Sequence, residues 1–414
     1  MIIWKYGYYH LHLALFIISL NNNCMSPLKK FVLFCHRWLG FITGIIVFIV
    51  SITGCIFCFQ DEIQDAIYSY RSVTVQNKPY LPPSKLEAIV KANHPGADPS
   101  YIYYYGKDRP AVALSNIGKE GFYSTYLNPY TGQITHEERL QSNFFVVVEY
   151  IHLYLLLPPA IGGMVVGISV LLFVVIMITG IILWWPKRKT DRKRSFTIKW
   201  NGRWRRVNYD LHNVLGFYAT AIALILAITG LSISFDWVRK GIYNAGNLGK
   251  QYAHEKQIVK SDSLQKGFKS NIPVADRALA TAQKSSPNAQ MFLVYMDKVS
   301  AAGTIGVTAY AKTLHFYNSD AYTFDKYTGK LLHYLPQQKK SPGLKLNEMN
   351  YDIHVGQIGG LTGKIIAFVA SLICASLPVT GFIIWLGKRN KSKGKKVRTA
   401  VHHKTHKRQT RVPA

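Results

Sequence analysis

Four apolar stretches, each long enough to cross a membrane as a helix, constrain this chain more than any other feature. A hydrocarbon core of about 30 Å requires roughly 20 apolar residues in a helix. Spans whose apolar stretch holds no carboxylate can bury their surface against lipid and against one another. The predicted spans are Phe31–Phe59, Pro158–Trp185, Leu211–Trp237 and Ile358–Leu386.

The basic residues indicate how these spans are oriented. The formal net charge is +29, and lysine and arginine concentrate in two blocks, Pro186–Val207 and Lys388–Arg411, each directly after a predicted span. This is the positive-inside pattern of cytoplasmic segments, and it argues against nucleic acid as the partner of the charge. We therefore expect an inner-membrane, multi-pass protein with both termini in the cytoplasm and a lipid bilayer as its surroundings.

Two further segments contribute little to the prediction of function. Residues 1–25 contain an apolar run that is too short to span, so they are either the result of a start codon placed too early or an interfacial anchor. Cys55 and Cys58 form a C-x-x-C on one face of an apolar helix, which favours simple packing over redox or metal chemistry.

The spans repeat. His36 and His212 each begin a similar hexapeptide, and each is followed 18 residues later by the glycine of an Ile-Thr-Gly, at Gly54 and Gly230. Self-similarity of this kind indicates a duplication. Spans two and four correspond in the same way, through Thr179-Gly180-Ile181-Ile182-Leu183-Trp184 and Thr380-Gly381-Phe382-Ile383-Ile384-Trp385.

Both long loops have the pattern of a small α+β domain, with a short amphipathic helix, alternating strands and a hairpin turn. The turns are Asn128-Pro129-Tyr130-Thr131-Gly132 and Asp325-Lys326-Tyr327-Thr328-Gly329. The predicted fold is thus a polytopic α-helical membrane protein whose four transmembrane helices form two tandem repeats, each with an extracytoplasmic α+β domain. Its segments are an N-terminal extension (1–25), transmembrane helices (26–59, 152–186, 209–237 and 354–387), outer domains (60–151 and 238–353), a basic loop (187–208) and a basic tail (388–414).

One histidine lies near the N-terminal end of each span, where an ionisable group is costly. Spans one and three run outward and spans two and four run inward, so His36 pairs with His212 at the cytoplasmic end and His152 with His354 at the outer end. Facing neutral imidazoles are the axial ligands of a b-type haem, and the chain has no C-x-x-C-H for covalent attachment. We therefore predict two haem b groups, with these four histidines as iron ligands.

Alternatives remain at this stage. Any one histidine could instead cap a helix or reach the membrane surface. Zinc or copper is the competing metal, although two imidazoles are too few for a closed zinc site.

The haem prediction also involves residues around the histidines. The residues expected to leave room for the porphyrins are Gly40, Gly44, Gly162, Gly163, Gly167, Gly216, Gly356, Gly359, Gly360 and Gly363, and those expected to meet propionates are Arg37, Arg205 and Arg206.

These residues resemble the PepSY-associated transmembrane proteins, a family that includes iron-uptake-linked membrane proteins and ferric-siderophore reductases. The resemblance covers the chain from Met25 to Arg389 and implies that the outer domains are PepSY domains and that the four histidines hold two haems. Its most specific parts are Lys29-Lys30, His36-Arg37-Trp38-Leu39-Gly40, the Asn128–Gly132 turn, His152 and His354-Val355-Gly356-Gln357-Ile358-Gly359-Gly360.

Two classes of function follow. The first is a membrane oxidoreductase. A cytoplasmic or quinol donor would reduce the haem between His36 and His212, and the haem between His152 and His354 would pass the electron to an acceptor outside. The resemblance implies that this acceptor is a ferric siderophore. The second is a PepSY-domain scaffold or regulator of a periplasmic partner or peptidase, without redox activity. A transporter ranks last, because the spans offer no carboxylate for ion coupling.

Overall fold

Four helices of the structure, a computed structural model, are long and apolar enough to cross a membrane. They are the candidate spans Pro27–Cys58, Pro159–Trp184, Trp204–Ser234 and Gln357–Arg389, so the prediction of four spans is confirmed. The structure describes residues 26–118, 121–186, 188–268 and 271–409. The segment 1–25, with its two interpretations, lies outside the described residues.

The helices are numbered here in chain order. A π-helical turn, Leu211–Leu215, joins α7 to α8 and makes them one continuous span. The helices are α1 (Pro27–Cys58), α2 (Gln60–Ile67), α3 (Pro83–Asn93), α4 (Phe144–Tyr154), α5 (Pro159–Trp184), α6 (Arg192–Phe196), α7 (Trp204–Asp210), α8 (Gly216–Ser234), α9 (Asp236–Gly246), α10 (Val274–Ser285), α11 (Pro342–His354) and α12 (Gly360–Gln409).

The chain divides into two compact units, and each of the four spans contributes to both. The first unit comprises the chain up to Ile45, Leu172–Tyr218 and the chain from Leu377 onward. It is helical and includes the short basic helix α6. The second unit comprises Ile46–Leu171 and Ala219–Ser376, and it contains the whole β-sheet.

All eight strands form one antiparallel sheet, in the order β4-β3-β2-β1-β5-β6-β7-β8. The central pair is β1 with β5, where Ile102 lies opposite Val294. Two separate α+β domains were predicted, but the strands of both loops join in this single sheet. The strands are β1 (Asp98–Tyr104), β2 (Ala111–Asn116), β3 (Phe122–Leu127), β4 (Ile134–Arg139), β5 (Met291–Met296), β6 (Thr304–Tyr310), β7 (Ser319–Asp325) and β8 (Leu331–Leu335).

The core of this sheet domain is apolar and is covered by α3 and α10. Leu86 and Val90 of α3 and Ala278 and Ala282 of α10 are buried in the same cluster as Ile102 of the sheet. The spacing of these helical residues, four apart, puts them on one face. The amphipathic helices predicted from the two loops therefore supply one shared hydrophobic core.

The two predicted hairpin turns have the same hydrogen bonds. Asn128 Oδ1 accepts from the main-chain N–H groups of Tyr130 and Thr131, at 2.9 and 3.3 Å. Asp325 Oδ1 accepts from Tyr327 and Thr328 in the same way, at 2.9 and 2.7 Å. Each turn ends in a glycine with a positive φ, +78° at Gly132 and +67° at Gly329, a backbone conformation that glycine adopts without strain.

Two of the spans begin after a sharp break in the helix. Helix α4 ends at Tyr154, the next two residues, Leu155 and Leu156, have φ of 54° and 59°, and α5 starts at Pro159. The break before α12 uses Gly356, whose φ is 78°. A continuous transmembrane segment was predicted from residue 152, but the structure places His152 in the short helix that precedes the span.

The carboxylate of Asp325 is the best-connected group of the second turn. It is 3% exposed, and its Oδ2 accepts from the N–H of Asp262 at 2.7 Å. Burial alone would raise its pKa, but the amides of Thr328, Asp262 and Tyr327 that donate to it lower the pKa below the usual range. A carboxyl group with a lowered pKa in the folded state stabilises the fold fully above its unfolded pKa, and this contribution is lost as the pH falls through the folded value.

We predict that Asp325→Ala lowers the free energy of unfolding by on the order of 3 kcal/mol at neutral pH, because several hydrogen bonds to a buried charge are lost. Asp325→Asn should keep the turn, as Asn128 does, and lose less. The measurement is the melting temperature of the detergent-purified protein between pH 7 and pH 3.

The difference between wild type and Asp325→Asn should shrink as the pH falls. Asp236→Ala, which removes a half-exposed surface carboxylate, is the control and should change stability little. An Asp325→Ala variant as stable as this control would contradict the assignment.

Candidate functional site

Four helical segments carry the four histidines singled out in the sequence. His36 lies in α1 and His212 in the π-helical turn between α7 and α8, both in the first unit. His152 lies near the end of α4 and His354 is the last residue of α11, both in the second unit. π-Helical turns are rare in proteins, and those that do occur often lie at functional sites. The place of His212 in such a turn therefore favours a functional role for this residue.

The predicted pairing of the histidines is seen in the structure. The ring centroids of His36 and His212 are 6.3 Å apart, with an angle of 89° between the ring planes. Those of His152 and His354 are 6.0 Å apart, with an angle of 67°. Each histidine therefore faces a histidine from a different helix.

The spacing within each pair matches two ligands on opposite sides of one metal ion. A first-row metal ion lies about 2 Å from an imidazole nitrogen, and the ring centroid lies about 1 Å further back, so the two centroids are about 6 Å apart. The measured separations of 6.3 and 6.0 Å agree with that value. The centroid separation of each pair is therefore the one that two imidazoles bound to the same ion would have.

Each histidine also meets a threonine from another helix through its Nδ1 atom. The distances to Oγ1 are 3.0 Å for His36 and Thr179, 3.1 Å for His152 and Thr53, 2.9 Å for His212 and Thr380, and 2.9 Å for His354 and Thr229. All four threonines belong to the Thr-Gly dipeptides that the sequence repeats. The repeat was recognised from the sequence, but its contact with the histidines was not.

The hydrogen bonds of His36 fix which ring nitrogen carries the proton. Its Nδ1 lies 3.1 Å from the carbonyl oxygen of Ile176, which can only accept. Nδ1 must therefore donate, and Nε2 of the neutral ring keeps its lone pair. His152 is held in the same form by the carbonyl oxygen of Val50, at 2.9 Å.

His212 and His354 reach the same form through their threonines. The hydroxyl of Thr380 donates to the carbonyl of Leu377, and that of Thr229 donates to the carbonyls of Ile225 and Leu226. Because the hydroxyl proton is already used, the oxygen accepts from the histidine Nδ1–H. All four rings therefore keep the Nε2 lone pair that a metal ion requires.

The glycine after each threonine lets the histidine ring approach. A Cβ atom would lie 3.3 Å from His36 Cε1 at Gly180 and 3.1 Å from His212 Cε1 at Gly381. At Gly54 and Gly230 it would lie 3.2 and 3.1 Å from Cε1 of His152 and His354. These contacts are tighter than ordinary van der Waals contact, so a larger residue would push the ring away.

Five of the ten glycines that were expected to leave room for porphyrins lie so close to other protein atoms that an added Cβ would come closer than 3.4 Å to one: Gly44, Gly162, Gly167, Gly356 and Gly363. A Cβ at Gly162 would lie 2.1 Å from the carbonyl oxygen of Tyr154, and one at Gly363 would lie 2.2 Å from that of Gly356. Both glycines allow the close main-chain contact that is made at the breaks before α5 and α12. At Gly167 the obstacle is the ring of Phe235, whereas a Cβ at Gly216 would make an ordinary contact with Leu377, at 3.4 Å. Gly40 has open space around it.

A second repeated motif was missed in the sequence. Asn208-Tyr209-Asp210-Leu211-His212 and Asn350-Tyr351-Asp352-Ile353-His354 are nearly identical. The Asn208 amide donates to the carbonyl of Thr380 at 3.1 Å, and that of Asn350 donates to the carbonyl of Thr229, also at 3.1 Å. Each asparagine thus binds the main chain of the threonine whose hydroxyl meets the histidine four residues later.

Two of the three arginines expected to meet propionates, Arg37 and Arg206, have other contacts. The Arg206 side chain donates to the buried carboxylate of Asp210 at 2.7 Å, and that of Arg37 lies over the ring of Trp38. Cys55 and Cys58 are buried free thiols, and Cys58 Sγ donates to two main-chain carbonyls. These cysteines take part in helix packing, in agreement with the interpretation from the sequence.

Within the described residues, histidine, cysteine, aspartate and glutamate form no cluster of three or more that could hold a metal ion. Each histidine pair would therefore supply two protein ligands to a bound ion. Structural zinc sites take four. Two ligands suit an ion whose other positions are filled by a macrocycle or by solvent.

Comparison with protein families gives one result that covers most of the chain. Residues 33–388 match the family described as the PepSY-associated TM region, in agreement with the resemblance noted in the sequence. The matched range contains the four histidines, the four Thr-Gly dipeptides and all eight strands. A search of curated proteins gave no match.

Proposed function

Because the chain belongs to the family of the PepSY-associated TM region, a family of membrane proteins, we propose that it is a di-haem b transmembrane electron-transfer protein. His36 and His212 would hold one haem, and His152 and His354 the other. The observation that carries this proposal is the pairing of imidazoles at about 6 Å with both Nε2 lone pairs free. When bound, each haem would supply a one-electron Fe(III)/Fe(II) couple.

The donor chemistry of the two sites supports haem over zinc. Each site offers two neutral imidazoles, which is the axial ligand set of a b-type haem. Zinc in structural sites takes four protein ligands, and each pair supplies two. The surrounding helices are apolar, which suits a macrocycle that is itself largely apolar.

We further propose two tandem repeats, each with a PepSY-like region that lies outside the inner membrane. The matching hydrogen bonds of the Asn128 and Asp325 turns, and the repeated Asn-Tyr-Asp motif before His212 and His354, support the duplication. The basic loop 187–208 and the basic tail 388–414 support an orientation with both termini in the cytoplasm.

The proposed acceptor is a ferric siderophore at the periplasmic face, and the donor is a cytoplasmic reductant or a quinol. Each ferric ion would take one electron. Siderophores bind iron(III) through hard oxygen ligands that suit iron(II) much less well, so reduction weakens the complex and releases the metal. The proposed activity is therefore that of a membrane oxidoreductase in iron uptake.

We predict about two b-type haems per chain in the detergent-purified protein. His36→Ala and His212→Ala should each remove one haem, and His152→Ala and His354→Ala should each remove the other, because each ligand pair holds one iron. The measurement is the dithionite-reduced minus air-oxidised absorbance spectrum, with haem quantified per chain.

His333→Ala is the matched control, since this histidine lies in β8 and its ring meets the carbonyl of His254. It should leave the haem content unchanged. A wild-type protein that stays colourless after reconstitution with haem would overturn the proposal and favour a PepSY-domain regulator of a periplasmic partner or peptidase.

We also predict that the dithionite-reduced protein, freed of excess reductant, is reoxidised by a ferric hydroxamate or catecholate chelate. An iron(II)-specific chromophore should trap about two iron(II) ions per chain, one for each proposed haem. The gallium(III) complex of the same chelator is the control, because it has the same charge and shape but cannot accept an electron. Reoxidation by the gallium complex, or none by the iron complex, would contradict the proposed acceptor.

The orientation can be tested by labelling with a membrane-impermeant maleimide. Val299 is fully exposed in the sheet domain and Trp200 is 70% exposed in the basic loop. We predict that Val299→Cys is labelled in intact spheroplasts and that Trp200→Cys is labelled after lysis. The wild-type chain gives the background of its own cysteines, and the reverse pattern of labelling would invert the proposed topology.

A further inference from the structure

We propose that Thr53, Thr179, Thr229 and Thr380 are positioning residues that set the reduction potentials of the two irons. Each would do so by accepting a hydrogen bond from Nδ1–H of one ligand histidine. This inference rests on the proposed function, since it assigns a role toward the haems proposed above.

The first support is that the same contact occurs four times, from four different spans. Thr53 is in α1, Thr179 in α5, Thr229 in α8 and Thr380 in α12. The four distances from Oγ1 to Nδ1 lie between 2.9 and 3.1 Å. A chance contact would not recur at every histidine with the same atoms and nearly the same distance.

The second support is the direction of the hydrogen bonds. Each threonine hydroxyl donates to a carbonyl one turn earlier in its own helix, at 2.8 Å from Thr53 to Ile49 and at 2.8 Å from Thr179 to Ile176. The oxygen is left as an acceptor for the histidine N–H. An accepted hydrogen bond of this kind fixes the tautomer, holds the ring orientation and makes the other ring nitrogen a stronger ligand.

The third support is the pair of asparagines that hold two of the threonines. Asn208 is 1% exposed and Asn350 is 8% exposed, and each donates to the main-chain carbonyl of a threonine in this set. Each buried side-chain NH₂ group thus has an acceptor that offsets part of the cost of its burial. The arrangement thus fixes the position of the threonine main chain as well as that of its hydroxyl.

The expected effect on potential has a definite sign. A histidine that donates from Nδ1 has more electron density at Nε2, which stabilises iron(III) more than iron(II). Replacing the threonine with valine keeps the shape of the side chain and removes the hydroxyl acceptor, which leaves Nδ1 of His36 and His152 only the carbonyls of Ile176 and Val50. The iron held by that histidine should then be easier to reduce, and its midpoint potential should rise.

The experiment is a potentiometric titration of the haem-loaded full chain and of four single variants: Thr53→Val, Thr179→Val, Thr229→Val and Thr380→Val. We expect the ratio of reduced to oxidised haem at a fixed potential to rise about tenfold for one component, which is about 59 mV for a one-electron couple. Thr179→Val and Thr380→Val should shift the same component, and Thr53→Val and Thr229→Val the other.

Two further readouts separate positioning from a general structural effect. The threonine-to-serine variants keep the hydroxyl and should keep the wild-type potentials. The electron paramagnetic resonance signal of the oxidised protein should change in the same pairwise pattern, because the angle between two imidazole planes governs the splitting of the iron d orbitals. If a valine variant fails to assemble, the corresponding alanine variant makes the same test with a smaller side chain.

Thr43→Val is the matched control. Thr43 is 1% exposed in α1, and its hydroxyl donates to the carbonyl of Leu39 in the same helix. It should leave both potentials unchanged. An equal shift of both components in all variants, including this one, would overturn the inference, because it would reflect overall polarity and not contact with a histidine.

The remaining outcomes distinguish this inference from the proposed function. Haem-replete valine variants with unchanged potentials and spectra would overturn the role of the threonines and leave the di-haem proposal standing. A wild-type chain that binds no haem would overturn both.

Discussion

The structure depends on a requirement of the membrane interior: each polar group among apolar helices needs a partner within the protein. An imidazole has two nitrogen atoms. Nδ1 forms a hydrogen bond with a threonine hydroxyl from another helix in each of the paired histidines, His36, His152, His212 and His354. Without water, an unpaired N–H would cost several kcal/mol. This hydrogen bond therefore helps to hold the ring, joins two helices and leaves Nε2 without a role in holding the helices together.

The same requirement explains why glycine follows each of these threonines. Hydrogen-bond distance between Nδ1 and Oγ1 brings the ring edge against the next residue of the neighbouring helix, where an added Cβ would lie 3.1 to 3.3 Å from Cε1. The Thr-Gly dipeptide is thus a single structural device, in which the hydroxyl binds the ring and the missing side chain admits it. Lys364 meets the need for a partner through an ion pair. It is buried near the start of α12, and its Nζ atom lies 2.8 and 2.9 Å from the two carboxylate oxygens of Glu62.

Much of this arrangement could be predicted from the sequence, because hydrophobic length and repeated motifs are local signals. The spans, the two hairpin turns and the grouping of the histidines into His36 with His212 and His152 with His354 all appear in the structure. What could not be predicted depends on contacts between distant segments. The pairing of β1 with β5 leaves no local pattern, and the role of Gly162 depends on a break at Leu155 that puts Tyr154 against it. The Asn-Tyr-Asp repeat was present in the sequence and could have been found, since it ends at two of the four histidines.

That repeat also shows that the two ligands of each pair are held differently. Four residues before His212 and His354 stands a buried asparagine, whereas Val32 and Val148 occupy the same position before His36 and His152 and are equally buried. The asparagines bind the main chain of Thr380 and Thr229, whereas a valine side chain can donate no hydrogen bond to the main chain of Thr179 or Thr53. Each pair therefore combines one histidine whose threonine is held by an asparagine with one that has a valine at the position of that asparagine. The same combination occurs in both units, so the two sites are built on one plan even though the elements that carry them, a π-helical turn in one and the end of a short helix in the other, are different.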